Sequence, residues 1–310
     1  MVLDVVCIGN VNIDVIAYIN HIPDPDESTY ASNLIISPGG SAANTAVGIS
    51  RLGLKSGFIG RVGADPYGQL LIKSFIEEGV DVSCIEIDNT GNTGFVIVLV
   101  DRSSVRRIIR WPGVNLNLSP LDIDEEYIMN AKAIHVSGVK INIAYNASNL
   151  CDRYKLTFCW DPGLIAVKEK LNNIAEILSK TSILFISEVE SKILTGTNNI
   201  NEAIMKILNT GVKIVAVKAG AKGSYIAFNN NIHHIPAVRI KPVIDTTGAG
   251  DTYAAAFIVQ TLRGKDPIQS ARYASIASAL KVRFSGARNI PRREEVDTFI
   301  KTHYNIFQVE

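Results

Sequence analysis

The chain has 310 residues, 47% hydrophobic and 20% charged, enough for one large globular domain or two small ones with a sizeable core. Its 31 lysines and arginines nearly balance 30 aspartates and glutamates, so charge gives no reason to expect nucleic acid or an anionic membrane as a partner, and a small molecule is the more natural ligand. The four cysteines, Cys7, Cys84, Cys151 and Cys159, form no CxxC pair, which leaves no sequence case for structural zinc or a disulfide framework and suits a reducing cytoplasm.

Val5 to Gly9 reads as a first strand, with Asp4 interrupting where the apolar core of a signal peptide would lie. No apolar run approaches the roughly 20 residues of a membrane-spanning helix, so a soluble chain is expected. The segment 15–36 mixes alternating apolar residues with the turn-rich PDPDES and reads as a hairpin-like excursion. Ser41 to Leu52 is predicted to be a helix that ends at Gly53, followed by a strand from Ser56 to Gly60 and a helix from Pro66 to Glu78 with apolar residues at i, i+3, i+4, i+7 and i+8. A second excursion, 94–110, places two strands around the charged turn DRSS and is expected to pair with the first in one small sheet.

From Ser119 onward helices and strands alternate: helix 124–131, strand 134–138, helix 142–154, strand 157–161, helix 169–180, strand 183–187, then helix again. Such alternation implies parallel strands joined by crossover helices. Strands are predicted at 213–219, 224–228 and 232–240, and the final third is helical over 248–262, 267–284 and 291–304. With no repeat, low-complexity tract or linker, one α/β domain over 1–310 with a small β excursion is the expected organisation.

Asp245 to Phe257 reads DTTGAGDTYAAAF, a glycine turn directly before a hydrophobic helix. Amides of Gly248, Ala249 and Gly250 at a helix start, reinforced by the helix dipole, would form an anion hole that a phosphate can approach closely. Asp251, in the first turn, could accept a proton from a hydroxyl lying beside that phosphate, which is the arrangement phosphoryl transfer requires. A lone GxG followed by an acid is more commonly a capped helix start, so the wider pattern decides.

DTTGAGDTYAAAF resembles the C-terminal signature of the ribokinase (PfkB) family of sugar and nucleoside kinases, and PGGSAANTAVGISRLG, Pro38 to Gly53, resembles its N-terminal signature. The motifs stand in the family's order, and the resemblance covers essentially the whole chain. It implies a ribokinase-like three-layer α/β/α domain with a mainly parallel central sheet, the two excursions forming a small β lid. It further implies an ATP-dependent cytoplasmic kinase, with Asp251 as base and Gly248, Ala249 and Gly250 as anion hole. Acceptor binding is implied for Asn12, Asp14, Gly39, Gly40 and Asn44, the glycines leaving room for a sugar ring, and nucleotide binding for Lys218, Gly220 and Gly223 and the helix around Ser275 to Leu280.

The family's Asn-x-x-Glu motif, which organises Mg2+ and its waters, appears here with Ser187 in place of asparagine and Glu190 retained. Asp245 and Thr247, with Gly286 near by, match half of the site that binds a monovalent cation in many members, so K+ activation is a hypothesis. Pairing of lids in several relatives implies a homodimer. After Asp161 the chain has Gly163, Leu164 and Ile165 where some sugar-acid and fructose kinases carry arginine, which disfavours a carboxylated sugar, while Arg106, Arg107 and Arg110 could reach a substrate phosphate. A ribokinase-like sugar kinase ranks first, a nucleoside kinase second, and a non-catalytic sensor on the same fold third, disfavoured because a binder has no need of a base. A nicotinamide-dependent oxidoreductase is poor, since no GxGxxG follows the first strand.

Overall fold

The computed structural model describes residues 2–103 and 106–302. Nine strands form the large sheet. In chain order they are β1 (Val5–Gly9), β4 (Ser56–Gly63), β5 (Asp81–Asp88), β8 (Ala133–Ser137), β9 (Thr157–Asp161), β10 (Ile183–Ser187), β11 (Ile214–Lys218), β12 (Ser224–Phe228) and β13 (Asn231–Ile235), arranged as β13-β12-β11-β10-β9-β8-β1-β4-β5. Every pairing from β11 through β1 to β5 is parallel, and β12 and β13 add an antiparallel edge.

Alternate residues of β1 feed opposite cores, as period-2 side chains in a doubly covered sheet must. Val5 and Cys7 pack into one core, Val6 and Ile8 into the other. The first core is closed by α1 (Ser41–Arg51), α2 (Pro66–Glu77), α9 (Ala249–Leu262), α10 (Pro267–Lys281) and α11 (Arg293–Thr302). The second is closed by α3 (Glu125–Ile128), α4 (Ile141–Tyr154), α5 (Gly163–Ala166), α6 (Ala175–Lys180), α7 (Glu188–Thr195) and α8 (Ile200–Leu208). The three-layer α/β/α fold with a mainly parallel sheet is therefore as the sequence implies.

The two excursions meet in one four-stranded sheet, β2 (Asn12–Ile19), β3 (Ala31–Gly39), β6 (Gly94–Val100) and β7 (Arg106–Trp111), in the order β3-β2-β6-β7. Val105, at the start of the predicted strand, and positions 303 and 304 of the last predicted helix lie outside the described residues. Several predicted bounds shift. Strand β5 was not anticipated, because this edge strand is only partly buried and its apolar residues do not alternate cleanly. Predicted helix 124–131 is a single turn capped by Asp124, and 169–180 begins as a 3-10 turn at Leu171–Ile174. Beyond β13 the chain runs without regular structure to the turn before α9.

The strand order reverses around β1, with β8 on one side and β4 on the other, and crevices at such switch points open at the carboxyl ends of the strands. Ser137, Asp161, Ser187 and Lys218 are the last residues of β8, β9, β10 and β11.

Candidate active site

Helix α9 starts at that crevice. Gly248 is its N-cap at φ 77°, in the left-handed region, and a Cβ there would lie 2.3 Å from the Ala287 carbonyl oxygen. The Ala249 amide is used by Thr246, but the amides of Gly248, Gly250 and Asp251 donate to no described residue. Free amides at the positive end of a 14-residue helix make an anion-binding position. Ser278 of α10 donates to the Ala249 carbonyl at 2.8 Å and fixes the turn from behind.

The Asp251 carboxylate is partly open to the crevice yet closely surrounded by protein. Oδ1 accepts from Ser41 Oγ at 2.7 Å and Oδ2 from Asn44 Nδ2 at 2.8 Å, both on α1. Ser137 donates in turn to Ser41 at 3.0 Å. Desolvation raises the Asp251 pKa above the usual carboxylate value, against the Ser41 and Asn44 hydrogen bonds and the Lys218 charge, which lower it. Each carboxylate oxygen keeps a lone pair for a further donor, so an acceptor hydroxyl can join without displacing either partner.

Lys218 is largely buried and paired with Asp161 at 2.5 Å. A Cβ on Gly250 would lie 3.4 Å from its ammonium. Burial opposes the charge on Lys218, and Asp161, Glu190 and Asp251 sustain it. Next to it opens a cavity of about 550 Å³ lined by Lys218, Ala249 and Gly250 together with the apolar Val238, Ile240 and Tyr253. Gly220, Gly223, Ser275 and Ser278 also line it, so the nucleotide residues read from the sequence come together. A Cβ at Gly223 would meet the Ile235 carbonyl at 2.1 Å, so that glycine is demanded by neighbouring backbone as much as by any ligand.

On the other side of Asp251 lie Asn12 and Asp14, the first and third residues of β2 rather than a turn. Asn12 Nδ2 donates to Asp14 Oδ1 at 2.5 Å. At Gly39 and Gly40 the first steric demand is internal: a Cβ on Gly39 would fall 2.3 Å from the Asp14 carboxylate, and one on Gly40 2.4 Å from the Asn10 carbonyl. They make space for Asp14 and for the chain itself. Desolvation pushes the Asp14 carboxyl up to about 6, with Asn12 and the Arg288 charge holding it down and Asp251 pushing it further up.

Glu190 spends one carboxylate oxygen on the Ser187 amide while Ser187 Oγ accepts from the Glu190 amide, a capping box at the start of α7. Its other oxygen is free to hold a metal-bound water. Among the described residues no cluster of three metal-ligating side chains exists. Asp245 is buried, its Oδ1 accepting from the Thr247 amide and hydroxyl and its Oδ2 from the Gly286 amide.

Three residues of the site went unread in the sequence. Ser41 lies inside the quoted PGGSAAN, Asp161 inside CWDPG, and Arg288 in a stretch without distinctive pattern. Arg288 is buried over the Phe75 ring and donates to Asn44 Oδ1 at 3.3 Å, Ser74 Oγ at 2.8 Å and the Gly39 carbonyl at 3.4 Å. Its only early signal is that an arginine precedes the helix that closes the chain.

Residues 2–294 match the family model described as pfkB family carbohydrate kinase. The chain is 33% identical to the 5-dehydro-2-deoxygluconokinase of Clostridium beijerinckii, over 96% of this chain and 93% of that one. It is 29% identical to the ATP-dependent ribose-1-phosphate kinase of Halopiger xanaduensis, over 96% and 98% of the two chains. Among solved structures, Arabidopsis thaliana ribokinase complexed with ribose and ATP superposes with a TM-score of 0.89 at 28% identity, covering 97% of this chain and 99% of that one.

Proposed function

This chain belongs to the pfkB family of carbohydrate kinases, phosphotransferases that act on hydroxyl groups, and from that premise we propose that it transfers the γ-phosphate of ATP to a hydroxyl of a free sugar. The observation that carries the reading is the placement of Asp251. Its carboxylate is held by Ser41 and Asn44, beside amides that donate to no described residue and a cavity that Ala249 and Gly250 help to line. Asp251 takes the proton of the acceptor hydroxyl as that oxygen attacks phosphorus. The amides of Gly248, Gly250 and Asp251 and the Lys218 ammonium stabilise the charge on the transferring phosphoryl oxygens. The nucleotide lies along Gly220, Gly223 and the α10 face at Ser275. Glu190 would hold a water of an Mg2+ carried on the nucleotide phosphates, and that ion would supply neutralisation of phosphate charge.

Asn12, Asp14 and Asn44 hold the sugar, since adjacent hydroxyls are best bound by groups that accept and donate in pairs. The small sheet is the lid that keeps water from competing as acceptor. The test is an ADP-release assay with ATP and magnesium over pentoses, hexoses, sugar acids and nucleosides. A sugar should respond strongly; response to nucleosides alone, or to nothing, overturns the sugar-kinase reading.

Because Asp14 is held up near 6, it turns into a neutral acid as pH falls through that value and loses acceptor capacity for a sugar hydroxyl. Acceptor kcat/KM should therefore fall about tenfold per pH unit below 6, with kcat moving less. In Asp14→Asn the acidic limb of an already low kcat/KM should move and lose steepness, since only the Asp251 base then titrates on that side; a limb unchanged in position and steepness would remove Asp14 from sugar binding.

Across the lid sheet, Ile36, Val15, Ile97 and Ile109 stand in one cross-strand row, and all but Val15 are exposed. An apolar row of this kind is suited to cover by a second copy of the chain. Sedimentation equilibrium should give the mass of two chains; a monomer at micromolar concentration would refute the dimer.

A further inference from the structure

Lys281, on the last turn of α10, is 0% exposed. Its ammonium donates to the main-chain oxygen of Asp245 at 2.9 Å and to that of Phe284 at 3.4 Å. These oxygens flank the turn that presents the free amides of α9. The Asp245 oxygens in this loop thus already have donors against them. The Asp245 carbonyl faces an ammonium, and both carboxylate oxygens of Asp245 accept from Thr247 and Gly286. The charged groups around Lys281 are Asp245, Asp251 and Arg106, and the Arg106 guanidinium stands 3.4 Å from Asp245 Oδ1. An added cation would enter beside the buried Lys281 ammonium, and Coulomb repulsion from that charge, with a smaller share from the exposed Arg106, opposes it, the Asp245 and Asp251 carboxylates being already faced by Lys281.

We propose that the Lys281 ammonium is the resident cation of this loop, covalently supplied, and that the enzyme works without potassium. Lys281 acts as a positioning residue. It ties the Asp245 carbonyl to the end of α10 and adds positive charge behind the anion hole, so the turn from Asp245 to Gly250 is set before nucleotide arrives. Its location, and not its reaction with anything, carries the effect. The inference rests on the kinase reading for its rate measurement only.

Three measurements test it, with ADP release in potassium, sodium and tetramethylammonium chloride at equal ionic strength as the first. Wild-type turnover should agree within about twofold across the three salts, because fixed preorganised charge needs no supplement. A rise of tenfold or more in potassium, roughly the effect of a required cation, would overturn the proposal. In the second, Lys281→Ala should lose roughly tenfold or more in tetramethylammonium and regain most of it in potassium or ammonium, which fit the vacated oxygens. A loss that no cation restores would reduce Lys281 to a packing residue. The third is thermal unfolding without substrates. The melting point of Lys281→Ala should rise with potassium and that of the wild type should not, since only a bound ion stabilises the fold by mass action. Potassium stabilising the wild type would also overturn the proposal. If no acceptor is ever found, the kinase reading fails while the melting experiment still decides this one.

Discussion

Asp251→Asn is expected to lower kcat by about three orders of magnitude while ATP affinity changes less than about threefold, the pattern of an interaction made only in the transition state. The shape of the carboxylate survives, but asparagine cannot take the hydroxyl proton. The new side chain can keep its carbonyl oxygen on Asn44 Nδ2 and turn its amide nitrogen to Ser41 Oγ, a hydroxyl that can accept as well as donate. Stability should move the other way. Desolvation raises the Asp251 pKa in the folded chain, so at neutral pH the ionised carboxylate costs folding free energy that it would not cost below its unfolded pKa, where it is protonated in both states. The substitution removes that cost, and the melting temperature should hold or rise as turnover collapses. Turnover within tenfold of wild type would remove Asp251 as the base.

The parts of this site that were legible in the sequence are those where local backbone geometry demands a pattern. A glycine turn before an apolar helix, with an acid in the first turn, can be an anion position or a plain capped start, and the wider pattern around DTTGAGD decides for the anion position here. The excursions were legible because alternation along each strand fixes one face, and the register Val15 to Ile36 and Ile97 to Ile109 follows it. Arg288 was not legible, because its meaning lies in contacts with Asn44 and Gly39, 244 and 249 residues away, that no local pattern encodes. Lys281 was missed for the same reason, since a lysine at a helix end is ordinarily a solvated cation facing the dipole. The Ser187 to Glu190 spacing, taken as an imperfect magnesium motif, is also a capping box, and the structure shows the box formed.

Gly248→Ala should damage the fold and the site together. At φ 77° an alanine carries a backbone cost of about 1–2 kcal/mol, before any contact is considered. The added carbon would then sit 2.3 Å from the oxygen of Ala287 and 2.9 Å from its Cα, both backbone atoms that cannot rotate away. The Ala287 segment cannot retreat freely, because Gly286 is tied to Asp245 Oδ2 and Arg288 to Asn44. The start of α9 must therefore shift, and the Gly250 and Asp251 amides shift with it. A displacement near 1 Å at a phosphoryl-binding group costs about a hundredfold in rate, and the strain should lower the melting point by several degrees. Gly250→Ala provides the contrast. Gly250 needs no left-handed backbone, and its new carbon would lie at an ordinary 3.4 Å from Lys218 Nζ. The fold should be undisturbed, but a methyl group would stand between ammonium and amides, where the phosphate belongs. Melting point kept and ATP affinity lost in Gly250→Ala, against both lost in Gly248→Ala, would separate the turn that shapes the anion hole from the surface that touches the anion. Equal behaviour of the two variants would show that the amides are not the binding element.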